Sequence, residues 1–422
     1  MKILVVHPAQ QHSYRLAAAL KRKGWLYKYI TTVYWKKNSF TYFASLLLRG
    51  NFKKKARSRV CADLELEDVV QFCEAEGLLK LLSMNIPGLR PYYRKIKYHV
   101  SDRFARKVAA YAIKHNDDAV VCYDDCSSLL FKELSKRAPE ILRIMDVSAA
   151  NILYMRQIYD KDAELQPNFC DRLHREREVV WNPDNIDRAE TELAYGQVFL
   201  APSSFVANTL KFSGIADSQI KICPYGVDTD LFPQKKYRNA EEARAYPVRF
   251  IYVGGVKELK GIGYLLDAIS QFPQFQASLT VVGQFDPNDA DIKPYLDRVH
   301  FTGPLLHEEV SKYLAESDVF IFPSLGEGLS LATLEAASCG LPLIVTENSG
   351  VNDAMTEGKE GFVVPIQSTE SLADKIQWFI NNPDQIEPMG RAAREMALRY
   401  TWESYYQRIG EVFDEIGSMK DI

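Results

Sequence analysis

Short apolar runs that break off at glycine, proline or threonine recur along this chain, and stretches with apolar residues at helical spacing lie between them. In the second half the runs fall at 250–253, 279–282, 299–303, 318–322, 343–346 and 361–364, each ending at or just before a Gly, Thr or Pro. Strands this short and this uniformly apolar suit a sheet covered by helices on both faces, so the alternation predicts a parallel sheet with crossover helices. The first half repeats the pattern less cleanly. Strands are expected there at 3–6, 119–123 and 143–146, with a first helix from 14 to 23 ended by Gly24, and 198–205 and 222–228 read as two strand ends and a turn. Helical spacing returns at 264–269 and near the end of the chain, where Tyr405, Ile409, Val412, Phe413 and Ile416 share one face. Two α/β units of roughly 200 residues each follow, and in such sheets ligands bind beyond the carboxyl ends of the strands.

The densest chemistry lies at one such strand end. The run at 318–322 stops at Pro323 and Gly326, and a helical segment from 330 to 338 is closed by Gly340 and Pro342. A loop that delivers the chain to a helix start leaves backbone N–H groups facing outward, and their partial positive charge suits a diphosphate. Glu327 stands in the loop and Glu335 roughly a turn and a half into the helix, so both can face one crevice. Two carboxylates beside a phosphate repel it unless they bind hydroxyl groups, and a sugar and a ribose supply those.

The pattern from Pro323 to Pro342, P-S-x-x-E-G-x-x-x-x-x-L-E-A-x-x-x-G-x-P, resembles the signature of family 4 retaining glycosyltransferases. The resemblance implies two facing doubly wound, Rossmann-like parallel-sheet domains (the GT-B fold) with the active site in the cleft between them. Residues 1–224 plus a returning helix at 400–422 would form the acceptor domain, and residues 225–399 the donor domain. Lys260 matches the family lysine that clamps the donor diphosphate. The family arginine position holds Gly255 here, next to Gly254, so one phosphate contact is either missing or supplied by Lys257. By the same resemblance Glu335 binds the ribose and Glu327 a hydroxyl of the transferred sugar. The backbone of Gly328, Leu329, Ser330 and Leu331 receives the diphosphate.

The first half departs from the family pattern in two places. Where the family carries a Gly pair in its first loop, this chain has Ala9 and Gln10; His12 either reaches donor or acceptor or serves as a surface cap beside Ser13. Where the family often has a His followed by Asp, this chain has Met145 and Asp146, and Asp146 either orients an acceptor hydroxyl or caps a following helix. The implied reaction moves a hexosyl or deoxyhexosyl group from a UDP-, GDP- or dTDP-linked donor to a glycan acceptor with retention, in surface-polysaccharide or cell-wall glycan synthesis. It needs no metal and no cofactor besides the donor. A nucleotide-sugar epimerase, a sugar phosphorylase and a non-catalytic nucleotide-sugar-binding partner share the fold and stay open.

Composition narrows the remaining choices. A formal net charge of −3 argues against a general nucleic-acid binder. Asp124 and Asp125, at the end of the 119–123 strand, invite a rival reading as the cation site of the other major glycosyltransferase fold, which leaves the second half unexplained. The seven cysteines, at 61, 73, 122, 126, 170, 223 and 339, form no zinc-type cluster, and their odd number fits a reduced compartment. With a short opening apolar run and no stretch near the roughly 20 apolar residues of a membrane span, a cytoplasmic protein is expected.

One segment modifies that expectation. Residues 35–59 carry eight Lys or Arg and no acid, interleaved with Trp35, Phe40, Tyr42, Phe43, Leu46, Leu47, Leu48 and Phe52. Such a segment either forms a solvated helix or lies on an anionic membrane surface. In the second case the protein sits peripherally at the inner face of the cell membrane and its acceptor is lipid-linked.

Overall fold

The computed structural model describes all residues except 10–11, 48–52, 54–55, 167–179 and 421–422. Leu48, Arg49, Phe52, Lys54 and Lys55 of the basic segment, Gln10 of the first loop and Cys170 thus lie outside the described residues. The apolar runs assemble into two sheets, and every strand pair in both is parallel.

The first sheet contains β1 (Ile3–His7), β2 (Leu26–Thr31), β3 (Val69–Gln71), β4 (Ala119–Tyr123), β5 (Leu142–Asp146), β6 (Val198–Ala201) and β7 (Ile220–Ile222), in the order β3-β2-β1-β4-β5-β6-β7. The second contains β8 (Val248–Val253), β9 (Ala277–Val282), β10 (His300–Gly303), β11 (Val319–Phe322), β12 (Leu343–Thr346) and β13 (Gly361–Val364), in the order β10-β9-β8-β11-β12-β13. In each sheet the order reverses once, between β1 and β4 and between β8 and β11. The crevice at such a reversal is where a ligand reaches the strand ends without meeting a crossover.

Burial explains why the central strands were legible. Every residue of β1, β4 and β11 is buried, so no polar alternation interrupts them. β2, β3 and β7 were not read as strands because β2 is only half-buried at its start and carries Lys28, and β3 and β7 are only three residues long.

Two chain segments cross between the halves side by side. Val227 N–H donates to the Tyr400 carbonyl at 2.8 Å, and Gly226 lies so close to Thr401 and Trp402 that a Cβ there has no room. The final helix, Trp402–Lys420, then returns to the first sheet's helix Ser13–Arg22. Arg15 donates to the Tyr406 hydroxyl at 2.9 Å, Arg22 pairs with Glu403 at 2.6 Å and Lys23 with Asp414 at 3.1 Å.

Candidate active site

The loop after β8 and the loop after β11 enclose the crevice of the second sheet. Gly254 and Gly255 lead from β8 into a short turn, Glu258–Lys260, and the helix Ile262–Ser270 begins after Gly261. Gly261 has φ +61°, and a Cβ there would collide with the Pro323 carbonyl. Only glycine lets the two loops approach this closely. The contact is reinforced by Leu325 N–H and Ser324 Oγ, which donate to the Leu259 carbonyl at 2.8 and 2.9 Å.

This clamp puts Lys260 Nζ against Glu327 Oε1 as an ion pair, with both side chains largely buried. The two charges neutralise each other across the crevice. Gly254 packs on the Tyr252 ring, and the Tyr252 hydroxyl donates to the Gly255 carbonyl at 3.0 Å. Space is open beside Gly255, with only the exposed Lys257 side chain near it.

The helix Leu331–Ser338 starts at Ser330, whose Oγ accepts from Thr333 N–H at 3.2 Å. Glu327 N–H donates to Asn348 C=O at 2.9 Å and Ser330 N–H to Ser349 C=O at 3.2 Å. The loop is therefore held against the backbone of the loop after β12, and the N–H of Ser330 is already committed. Leu329 is buried and Leu331 half-buried. Glu335 lies in the second turn, near His307 Nδ1 at 3.6 Å, and burial pushes its carboxyl up to about 7.

The first sheet contributes a second cluster at its own reversal. His12 Nε2 lies 3.2 Å from Asp146 Oδ2, which joins the loop after β1 to the end of β5. Asp146 does not cap a helix; the following helix, Ile152–Leu165, is capped by Asn151, whose side chain accepts from Leu153 N–H at 2.9 Å. Tyr225, from the crossing segment, packs its ring on His12 with centroids 4.2 Å apart, and Tyr123 meets His12 edge-on at 5.2 Å. The hydroxyls of both tyrosines are buried without a hydrogen-bond partner among the described residues. Sequence reading missed these two rings, because an isolated Tyr at a strand end or in a linker carries no signal of its own.

Asp124 and Asp125 turn apart. Asp124 accepts from Ser148 Oγ at 2.6 Å and Ser148 N–H at 3.1 Å, while Asp125 pairs with Lys97. Beside them a cavity of about 250 Å³ opens at the ends of β4 and β5, with Asp124, Met145, Asn151, Arg188 and Glu192 in its wall. Burial, then the nearby Asp124 charge, pushes the Glu192 carboxyl up to about 8, and burial pushes Asp124 up to about 6.

The two halves touch beside these clusters. Ser203 Oγ donates to Gly328 C=O at 2.6 Å, and Gly328 lies directly against the Ser148 carbonyl. Further along, Asp162 accepts from the Tyr264 hydroxyl at 2.6 Å and from Gln367 Nε2 at 3.1 Å.

Residues 247–382 match the family model described as glycosyl transferases group 1. They form a group 1 glycosyl transferase domain. The domain holds Gly254, Gly255, Lys257, Lys260, Glu327 and Glu335, whereas His12 and Asp146 lie outside it. A sulfoquinovosyl transferase of Arabidopsis thaliana is 28% identical over 220 residues, 50% of this chain and 43% of that protein. A D-inositol 3-phosphate glycosyltransferase of Corynebacterium urealyticum is 26% identical over 224 residues, 48% of this chain and 53% of that protein. The chain thus spans about half the length of the curated relatives it matches.

Solved structures extend the likeness beyond the domain. Sucrose-phosphate synthase from Thermosynechococcus elongatus superimposes with a TM-score of 0.68 at 18% identity, over 99% of this chain and 100% of that one. Anabaena HepE in complex with UDP-glucose does so with 0.62 at 16% identity, over 98% and 100%. The architecture around the glycosyl transferase domain is accordingly the GT-B fold of two parallel sheets with flanking helices.

Proposed function

We propose that the protein is a retaining glycosyltransferase that moves a hexosyl group from a nucleotide-diphosphate sugar to a glycan acceptor. The observation that carries this reading is the meeting of Lys260 and Glu327, with Glu335 one helix away, at the strand reversal of the glycosyl transferase domain. Residues 225–399 act as the donor domain and residues 1–224 with 400–422 as the acceptor domain, hinged where Val227 and Thr401 cross. UDP is the first base to test, since Anabaena HepE, of the same fold, was solved with UDP-glucose.

In this reading the donor diphosphate lies over the start of the helix Leu331–Ser338 and draws Lys260 away from Glu327, freeing that carboxylate for a sugar hydroxyl. Charge grows on the departing diphosphate as the glycosidic bond breaks. Lys260 and the helix N–H groups therefore stabilise the transition state more than the ground state. Lys257 supplies a second cation beside Gly255. The acceptor enters from the first half, where the pair His12 and Asp146 orients its hydroxyl and the 250 Å³ cavity receives the adjoining sugar. It attacks on the face the diphosphate leaves, and a diphosphate oxygen takes its proton.

A thermal-shift screen with UDP, GDP, dTDP and ADP and their sugars tests the donor site directly. Ligand at 100 times its dissociation constant stabilises the fold by about 2.7 kcal/mol. The expected result is a rise with one base; no rise with any of them would sink the reading. Sugar phosphate released by orthophosphate, or an isomerised donor without acceptor, would instead identify a phosphorylase or an epimerase.

Two further outcomes follow. Glu335 binds the ribose as an ionised acceptor, and its carboxyl titrates at about 7. Donor affinity is therefore full above about pH 8 and falls as pH drops through 7, by up to about tenfold per unit. A nucleotide sugar has no phosphate proton titrating in that range, so a slope seen by calorimetry comes from the protein, and comparison with Glu335→Gln assigns it. Glu335→Gln binds weakly and without this slope, and a wild-type affinity flat from pH 5.5 to 8.5 would remove Glu335 from the ribose. Asp146→Asn should lower kcat/KM for the acceptor by about tenfold or more, as loss of a charged hydrogen bond does. Donor affinity measured in the same titration should stay unchanged; a matching loss there would place Asp146 at the donor.

A further inference from the structure

We propose that the first half docks on an anionic lipid bilayer through one surface made of the helices Phe40–Leu47 and Glu74–Asn85 and the turn Pro87–Tyr92. The surface extends well beyond the basic segment at 35–59. Of eighteen large apolar side chains exposed among the described residues, eight fall on these elements and their ends. Phe40, Phe43 and Leu46 recur along one stripe of the first helix, with Phe40 67% exposed. Leu79, Leu82 and Ile86 do the same along the second, and Tyr92 on the turn is 60% exposed. The two helices pack against each other, so both belong to the same part of the first half.

Charge decides the occupant. No Asp or Glu occurs between residues 32 and 62 or between 77 and 101, while those stretches hold eight and five Lys or Arg in a chain whose net charge is −3. Lys37, Arg57, Arg90, Arg94 and Lys95 are exposed. The two acids between these stretches that lie on the second helix are already engaged: Glu74 accepts from Thr41 N–H and Oγ at 2.7 and 2.6 Å, and Glu76 pairs with Arg103 at 2.6 Å. Exposed apolar side chains on stretches that carry cations and no acid suit a fluid anionic interface, which needs no matching shape and rewards each cation near its surface.

The same helix connects this surface to the cleft. Lys80, buried on its inner side, donates to the Pro8 carbonyl at 3.3 Å, in the loop that runs on to His12. A bilayer under the outer face lies one helix away from the acceptor side of the cleft, the position from which a lipid-linked glycan is reached. That last step rests on the glycosyltransferase reading; the docking itself does not.

Flotation of the full chain with vesicles tests it, using phosphatidylcholine alone and phosphatidylcholine with about 30% phosphatidylglycerol, at low and high salt. The expected result is recovery with the anionic vesicles only, reduced by salt. Phe40→Ser with Phe43→Ser, and separately Arg90→Glu with Arg94→Glu, should each cut recovery about tenfold or more while the thermal shift given by the nucleotide sugar is unchanged. Wild-type protein that stays at the bottom of the gradient with anionic vesicles overturns the proposal, as does full recovery of both variants. Loss of the nucleotide-sugar shift with flotation intact would sink the donor reading and leave the docking standing.

Discussion

Lys260→Ala lowers glycosyl transfer by about 10²–10³-fold, the usual effect of removing one preorganised group that faces developing charge. The loss has two sources. The ammonium is the described cation that the clamp between the β8 and β11 loops sets beside Glu327; in the proposed mechanism its loss takes a positive charge from the departing diphosphate. The carboxylate left behind also faces the diphosphate with nothing to neutralise it. Lys260→Ala should therefore weaken donor binding as well as turnover, and adding Glu327→Ala should restore part of the binding and none of the turnover. Such non-additivity is expected of groups in direct contact. The check is nucleoside diphosphate release with donor and acceptor glycan present, alongside donor affinity for both variants. Transfer within about threefold of wild type for Lys260→Ala would mean that Lys257 or the helix N–H groups carry the charge, and the assigned role of Lys260 would fail.

How much of this was legible in the chain depends on distance along it. Glu327 and Glu335 share one loop and helix, and Lys260 follows a glycine turn; local composition exposes such groups because a strand end, a glycine and a helix start must be adjacent to make them. The doubly wound sheets were legible for a related reason, since strands buried on both faces leave no polar residue to disguise them. On the first half His12 and Asp146 were each singled out, but their meeting was not legible. His12 and Asp146 are joined across 134 residues, and Tyr225 reaches His12 only because the crossing segment folds back beside Tyr400. Such contacts depend on the order of strands in the sheet, which a run of residues does not encode. The apolar stripe at Leu79, Leu82 and Ile86 escaped for the opposite reason, because its spacing reads as an ordinary core-facing helix and only the observed exposure shows otherwise.

Gly328→Ala is the sharpest test of whether the two halves must meet as they do here. A methyl group at this position runs into the Ser148 carbonyl and against Pro202, both on the first half, so the obstacle is backbone and cannot rotate away. The backbone at 328 is not in the left-handed region, so alanine is tolerated within the loop itself; what it prevents is the approach of the acceptor side. Donor binding to the second half should survive, with a normal thermal shift. Transfer should fall by about 10²-fold or more, because displacing an acceptor by about 1 Å is enough for a loss of that size. Gly326→Ala provides the internal comparison. Its methyl meets the flexible end of Met155, with Sδ at 2.6 Å, which can move, so its effect should be several times smaller. If Gly328→Ala transfers as well as Gly326→Ala, the contact between Gly328 and Ser148 is not part of the reacting state, and chemistry takes place in a more open arrangement of the halves.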